Sequence, residues 1–142
     1  VQHLTVKLLQ KEELDDIISL TQHLNPNREI STLKKRHLEM FAFDNYQCFG
    51  LFEKAQLIGV SSSWMTVRLY SGKQLEVDNV IIDPTIHSKG YGAFFLNYIE
   101  NWAKEQGCES VELNTYVQNS KSHKFYFRQG YIILGYHFQK VL

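Results

Sequence analysis

The chain has 142 residues, 44% of them apolar and 21% charged, with 15 basic and 15 acidic side chains that cancel. That length suits one hydrophobic core and one domain spanning 1–142. Zero net charge excludes a global basic field for nucleic acid, and no apolar run approaches the ~18 residues that cross a bilayer.

The opening residues, Gln2, His3 and Lys7 among them, hold no apolar signal-peptide core. Two cysteines, Cys48 and Cys108, are too few for a disulfide framework and read as buried free thiols. The expected setting is cytoplasmic, with neither a nucleic-acid nor a membrane partner.

Leu4, Val6 and Leu8 alternate and predict a first strand. Leu14, Ile17, Ile18, Thr21 and Leu24 recur at helical spacing until Asn25-Pro26-Asn27 ends the helix. Ser31 is the expected cap of a second helix, with Leu33, Leu38, Met40 and Phe41 on its apolar side and Lys34, Lys35 and Arg36 facing water. Strands follow over Tyr46 to Glu53, Leu57 to Leu69 and Gln74 to Ile82, joined by turns at Lys54-Ala55 and Ser71-Gly72-Lys73. Asp83-Pro84 stops the last of these. Gly90 to Gln106 reads as a helix, with Phe95, Ile99 and Trp102 on one face and Gly107 as its stop. Val111, Leu113 and Thr115 predict a strand, Lys121 to Gln129 a short helix closed by Gly130, and Tyr131 to Phe138 a final strand. Hairpins followed by a crossover helix imply a mixed sheet in an α+β domain.

The segment Ile81-Ile82-Asp83-Pro84 followed by His87-Ser88-Lys89-Gly90-Tyr91-Gly92 runs strand, loop, helix. Gly90 and Gly92 let the backbone approach a ligand closely. The loop amides, the helix dipole and Lys89 together suit a diphosphate. The segment is neither a Walker A loop nor the dinucleotide fingerprint, because the lysine-serine pair of the first and the third glycine of the second are missing. By its residues alone, it equally fits an ordinary strand-to-helix turn that uses glycine for packing.

This segment resembles the coenzyme A diphosphate loop of the GNAT N-acetyltransferase superfamily, Gln/Arg-x-x-Gly-x-Gly/Ala. Gly90 and Gly92 match, while His87 replaces the usual Gln or Arg. The stretch NSKSHKFYFRQGY at 119–131 is similar to the second signature, Asn-x-x-Ala-x-x-Phe-Tyr-x-x-x-Gly-Phe. Asn119, Phe125, Tyr126 and Gly130 match; Ser122 and Tyr131 are mild replacements. The resemblance implies a twisted mixed sheet with about four helices, whose central parallel strands, ending at Ile82 and near Tyr116, splay to admit acetyl-coenzyme A. It implies that Val80, Ile81 and Ile82 bind the pantetheine arm through their backbone, and that Ser88 to Gly92 hold the diphosphate. It implies that Asn119 contacts pantetheine and that Tyr126 faces the thioester sulfur. The run from His123 to Tyr126 and the ending Tyr136 to Lys140 resemble a bacterial subgroup that includes aminoalkylphosphonate acetyltransferases. His137 is read there as either a pocket wall or a packed strand residue.

Tyr126 suits a general acid: attack on a thioester expels a thiolate, and a phenol of pKa near 10 is protonated at neutral pH and matched to it. A backbone amide, expected near Ile82, would polarise the carbonyl. A base is needed too, because an alkyl amine of pKa about 10.4 is neutral in roughly one molecule in 2,500 at pH 7, a cost of about 4.6 kcal/mol. Glu76 and Asp78 stand two apart on the strand entering the loop, about 7 Å from each other. Val80 and Ile82 are expected to continue that face, leaving the two acids on an otherwise apolar surface. The resemblance puts Glu76 at the position of a known glutamate base; either acid is otherwise a solvated or ion-paired side chain, or an anchor for a cationic amine.

The six histidines show no i, i+4 pair and no cluster with cysteine, so no metal is expected. Phe49 and Trp64 are assigned to the core, with Tyr46, Tyr70 and Tyr116 as candidates for a substrate wall. The expected activity is direct acetyl transfer from acetyl-coenzyme A to a primary amine of a small molecule. Two alternatives stand beside it: an acetyltransferase for protein lysines or N-termini, and a non-catalytic acyl-coenzyme A sensor or interaction module. The chain is expected as a monomer or a homodimer.

Overall fold

A computed structural model describes residues 3–86 and 90–142. The chain forms two compact units, Val1–Glu112 and Leu113–Leu142.

In the first unit, β-branched and aromatic residues at period two build a five-stranded sheet in the order β1-β2-β3-β4-β5. The strands are β1 (Leu4–Leu9), β2 (Tyr46–Glu53), β3 (Gln56–Arg68), β4 (Gly72–Ile82) and β5 (Ser110–Leu113). β1 to β4 pair antiparallel in sequence. The Glu109 amide donates to the Lys73 carbonyl at 2.7 Å, which sets the start of β5 beside the start of β4. The two therefore run the same way, and the sheet is mixed as expected. The β2–β3 turn places Lys54 at φ 56°, and Gly72, at φ 72°, opens β4.

Helices cover both faces. α1 (Leu14–Thr21) and α2 (Ile30–Phe41) lie on one side, and α3 (Tyr91–Glu105) on the other. Ile17 and Leu20 of α1 join Leu9, Tyr46, Cys48 and Val60, with Met40 and Phe41 packed at the margin. On the opposite face Trp102 of α3 meets Phe49 edge to face at 5.1 Å between centroids. Phe49 is fully buried, which is worth about 1.5–3 kcal/mol. α1 continues through a 3₁₀ turn to Leu24, as the spacing predicted. Gly107 ends the run after α3 at φ 86°.

α2 departs from expectation at its start. Its cap is Glu29, whose carbonyl accepts from the Thr32 and Leu33 amides at 3.1 Å, so Ser31 falls inside the first turn. Leu38 is exposed and its neighbour His37 is buried instead. His37 Nε2 meets the Thr21 hydroxyl at 2.9 Å, and its Nδ1 is buried with no hydrogen-bond partner. Burial holds this imidazole below its ordinary value. Cys48 and Cys108 are free. Cys48 is buried, which pushes its thiol up to about 12, whereas Cys108 is only half-buried.

The second unit holds α4 (Ser120–Arg128), closed by Gly130 at φ 92° with the Tyr131 amide returning to the Tyr126 carbonyl at 3.0 Å. The expected strand from Tyr131 to Phe138 is not formed: residues 131–142 have no regular structure. A strand exists only against a partner ladder, and this unit by itself offers none. The expected strand through Thr115 likewise stops at Leu113.

Candidate active site

Glu76 and Asp78 sit on β4 in consecutive cross-strand rows: Tyr46, Trp64, Glu76 and then Cys48, Ser62, Asp78. Both acids therefore share the sheet face covered by α1 and α2. Around Glu76 the face is aromatic. Trp64 packs against Tyr46 at 4.8 Å and against Phe43 at 5.6 Å between centroids. Tyr46 is buried, and its hydroxyl shares a 2.7 Å hydrogen bond with Ser62. Burial raises the Tyr46 phenol far above its ordinary value.

Beyond Asp78 the strand departs from regular alternation. Ser62 faces Asp78 and Val60 faces Ile81, so Ser61 alone opposes both Asn79 and Val80. This is a β-bulge, and Asn79 carries it at φ 50°. Asn is among the few residues that accept a left-handed backbone cheaply. The extra residue inverts the side-chain alternation: Ile81, not Val80 and Ile82, continues the face of Glu76 and Asp78. The acids are also not set on bare apolar surface. Arg68 Nη2 lies 3.6 Å from Glu76 Oε2. Asp78 is exposed and accepts from the Asn79 amide at 2.8 Å.

After Ile82 the chain leaves the sheet by a fixed turn. The Asp83 amide donates to the Ile58 carbonyl at 2.7 Å. Asp83 Oδ1 accepts from the Thr85 amide at 2.9 Å and from its hydroxyl at 2.8 Å, and these bonds hold the Asp83 carboxyl below the usual range. His87, Ser88 and Lys89 lie outside the described residues. Gly90 is the cap of α3, at φ 91°, a region most side chains avoid. Among the described residues nothing stands within 4 Å of the place a Cβ would take there. Among them, too, no side chain caps the helix, and no acid lies in its first turn. Space beside Gly90 at the positive end of a helix of 15 residues fits a diphosphate.

Within the second unit, Asn119 is the cap of α4, its Oδ1 accepting from the Ser122 amide at 3.3 Å. Tyr126 stands seven residues on, roughly 10 Å along the axis and on the same side. Its ring meets Phe125 at 5.3 Å and Tyr131 at 5.7 Å, and burial pushes its phenol above the ordinary value. His123 Nε2 contacts the Tyr116 carbonyl at 2.9 Å, and His137 is exposed. Tyr70 donates to Glu112 at 2.6 Å and Tyr116 is exposed.

Two features of the site escaped the sequence. Arg68 beside Glu76 requires the β3–β4 register, which spacing alone does not supply. The bulge had a faint signal, the Asp78-Asn79 pair inside an otherwise strand-forming run. Among the described residues no cluster of three or more His, Cys, Asp or Glu is placed to hold a metal, and no helix is long and apolar enough to cross a membrane.

The profile of the acetyltransferase (GNAT) family matches residues 14–131, and the chain belongs to that family. It is thereby an acyltransferase by class. It is 27% identical over 135 residues to the uncharacterized N-acetyltransferase YhdJ of Bacillus subtilis (strain 168), covering 94% of this chain and 95% of that protein. It is also 27% identical over 88 residues to the aminoalkylphosphonate N-acetyltransferase of Salmonella typhimurium, covering 61% of this chain and 57% of that one. In fold it is similar to aminoglycoside N-acetyltransferase AAC(6')-Iy, solved in complex with CoA. The TM-score is 0.85 at 15% identity, over 99% of this chain and 95% of that one.

Proposed function

We propose that the chain, as one acetyltransferase domain, moves an acetyl group from acetyl-coenzyme A directly to a primary amine of a small molecule. The observation that carries this reading is the start of α3: a left-handed glycine, no side-chain cap, no acid and open space where a side chain would stand. The family profile runs through both compact units, and a segment of 30 residues is too short to hold a core alone. Support for a small acceptor comes from the names of the similar proteins, which act on an aminoalkylphosphonate and on aminoglycosides.

Acetyl-coenzyme A, when bound, supplies an activated thioester. In this reading Gly90, Gly92 and the first turn of α3 receive its diphosphate, with His87, Ser88 and Lys89 completing the loop. Backbone groups of Val80, Ile81 and Ile82 receive the pantetheine arm together with Asn119. The bulge at Asn79–Val80 turns backbone out of the sheet ladder, and with the Asn79 amide already bonded to Asp78 this supports the Val80 amide as the donor that polarises the carbonyl. That is two residues before the Ile82 position expected from sequence.

Glu76 or Asp78 takes the proton of the incoming ammonium. Its cationic form suits both carboxylates and the face of Trp64. Tyr126, kept protonated by burial, returns a proton to the departing thiolate. Turnover of acetyl-coenzyme A against a panel of small amines tests the proposal. Tyr126→Phe is expected to lower kcat about a hundredfold with little change in KM. Thiol release by no amine, or full activity in Tyr126→Phe, would remove the enzyme reading or the acid respectively. Glu76→Gln and Asp78→Asn identify the base as the variant whose rate recovers at high pH, where the amine is already neutral.

A further inference from the structure

At the far end of β1 and β2 from Leu9 and Tyr46, two side chains converge on Tyr91, the first residue of α3. Tyr91 is 7% exposed, and its hydroxyl donates to Glu53 Oε2 at the end of β2. His3 Nε2 stands 2.8 Å from the same hydroxyl and 2.9 Å from the same carboxylate oxygen. The imidazole also meets the Tyr91 ring edge to face, 6.0 Å between centroids. The sheet fixes the two partners: Leu4 is paired with Glu53, and the Lys54 amide donates to the His3 carbonyl at 3.2 Å.

We propose that Tyr91 is a positioning residue for the diphosphate grip: through Glu53 and His3 it ties the first turn of α3 to the β1–β2 end of the sheet, holding the helix amides at a fixed distance from the cofactor. The proposal rests on the reading that α3 receives the diphosphate of coenzyme A. Its logic is mechanical. Gly90 and Gly92 flank Tyr91 and make this turn the most permissive backbone of the loop. A permissive turn binds an anion well only if something else limits its freedom, because otherwise the ordering cost falls on the ligand. Tyr91 supplies that limit, with its ring packed and its hydroxyl shared between two partners on the sheet. Glu53 is well suited to the role, because a carboxylate accepts a phenol hydrogen bond more strongly than a neutral oxygen does. The Glu53 carboxyl lies below the usual range, held there first by Tyr91 and then by His3.

The test compares ligands that do and do not carry the diphosphate. Tyr91→Phe keeps the packed ring and removes the bond; coenzyme A measured by calorimetry should bind about fivefold more weakly. KM for acetyl-coenzyme A should rise by the same factor with kcat unchanged, and KM for S-acetylpantetheine, which has no diphosphate, should not move. Glu53→Ala should match Tyr91→Phe. Glu53→Gln, which keeps an acceptor oxygen, should recover most of the affinity. The double variant Tyr91→Phe/Glu53→Ala should be no worse than either single one, because both remove one bond. Glu53 is partly exposed, so its variants report even if Tyr91→Phe does not fold. Wild-type affinity for coenzyme A in Tyr91→Phe or Glu53→Ala, or an equal loss with S-acetylpantetheine, would overturn the positioning role alone. Failure of the wild-type protein to bind coenzyme A at all would overturn the diphosphate reading together with it.

Discussion

The four α-helices begin in two different ways. α1, α2 and α4 follow Glu13, Glu29 and Asn119, so an oxygen-bearing side chain stands at each positive end. α1 adds Asp15 and Asp16 in its first turn, and Asn119 closes α4 with a bond to the Ser122 amide. α3 follows Gly90, has no side chain at its cap and no acid in its first turn. Only Asn119 caps its helix by a hydrogen bond; Glu13 and Glu29 place a carboxylate at the starts of α1 and α2 without one, and α3 has no side-chain oxygen at its cap at all. The contrast is what the proposed diphosphate site at α3 rests on.

The comparison is most sharply broken by giving α3 what the others have. Gly90→Asp places a carboxylate in the open space beside the first amides. It should weaken coenzyme A at least tenfold by calorimetry, about 1.4 kcal/mol. Gly90→Ala is the control: its strain at φ 91° costs about 1 kcal/mol of stability, and its effect on affinity should be smaller than that of the acid. An affinity ranking with alanine worse than aspartate would mean that backbone shape, not charge, governs this end.

A smaller effect comes from removing compensation where it exists. Asn119→Ala should cost α4 about 1 kcal/mol, seen as faster hydrogen exchange at the Ser122 amide, while α1 and α2 keep their exchange rates. Unchanged exchange at Ser122 would show that the cap bond contributes nothing.

The mildest effect is on pH. The Asp83 carboxyl is lowered chiefly by the Thr85 amide and the Glu53 carboxyl chiefly by the Tyr91 phenol. In each case the folded value lies below the unfolded one, near 3.9 for Asp and 4.3 for Glu. Their contribution is therefore complete above about pH 5 and is lost as pH falls through the folded values. Asp83→Asn and Glu53→Gln should each lower stability slightly at neutral pH and converge on the wild type as pH falls, which flattens the acid limb, as judged by denaturant midpoints from pH 3 to 7.

How much of this could be read before the structure varied with how local each signal was. β2 was bounded from Tyr46 to Glu53 by its own residues, and the stops at Asp83-Pro84, Gly107 and Gly130 rest on backbone preferences that need no neighbours. The glycine loop and the Asn119–Tyr126 signature were legible because a motif is contiguous. What failed was non-local. Ser31 lost the cap to Glu29, since the helix start is fixed by where Leu33 packs, and Leu33 is buried. The face beyond Asp78 was misread because a single inserted residue reverses period-two alternation, and Asn79 gives only a weak hint of it. The ion pair of Arg68 with Glu76, the Thr21–His37 pair and the convergence of His3, Glu53 and Tyr91 join residues between 8 and 88 positions apart. No pattern along the chain announces such meetings.

Backbone amide resonances of Gly90 and Gly92, followed while coenzyme A is titrated into the wild-type protein, test the central claim most directly. The account predicts that both shift with a common saturating isotherm, ahead of the amides of α1, α2 and α4, and that inorganic diphosphate moves the same pair in the same direction. Saturable binding of coenzyme A that leaves both glycine amides where they were would contradict it.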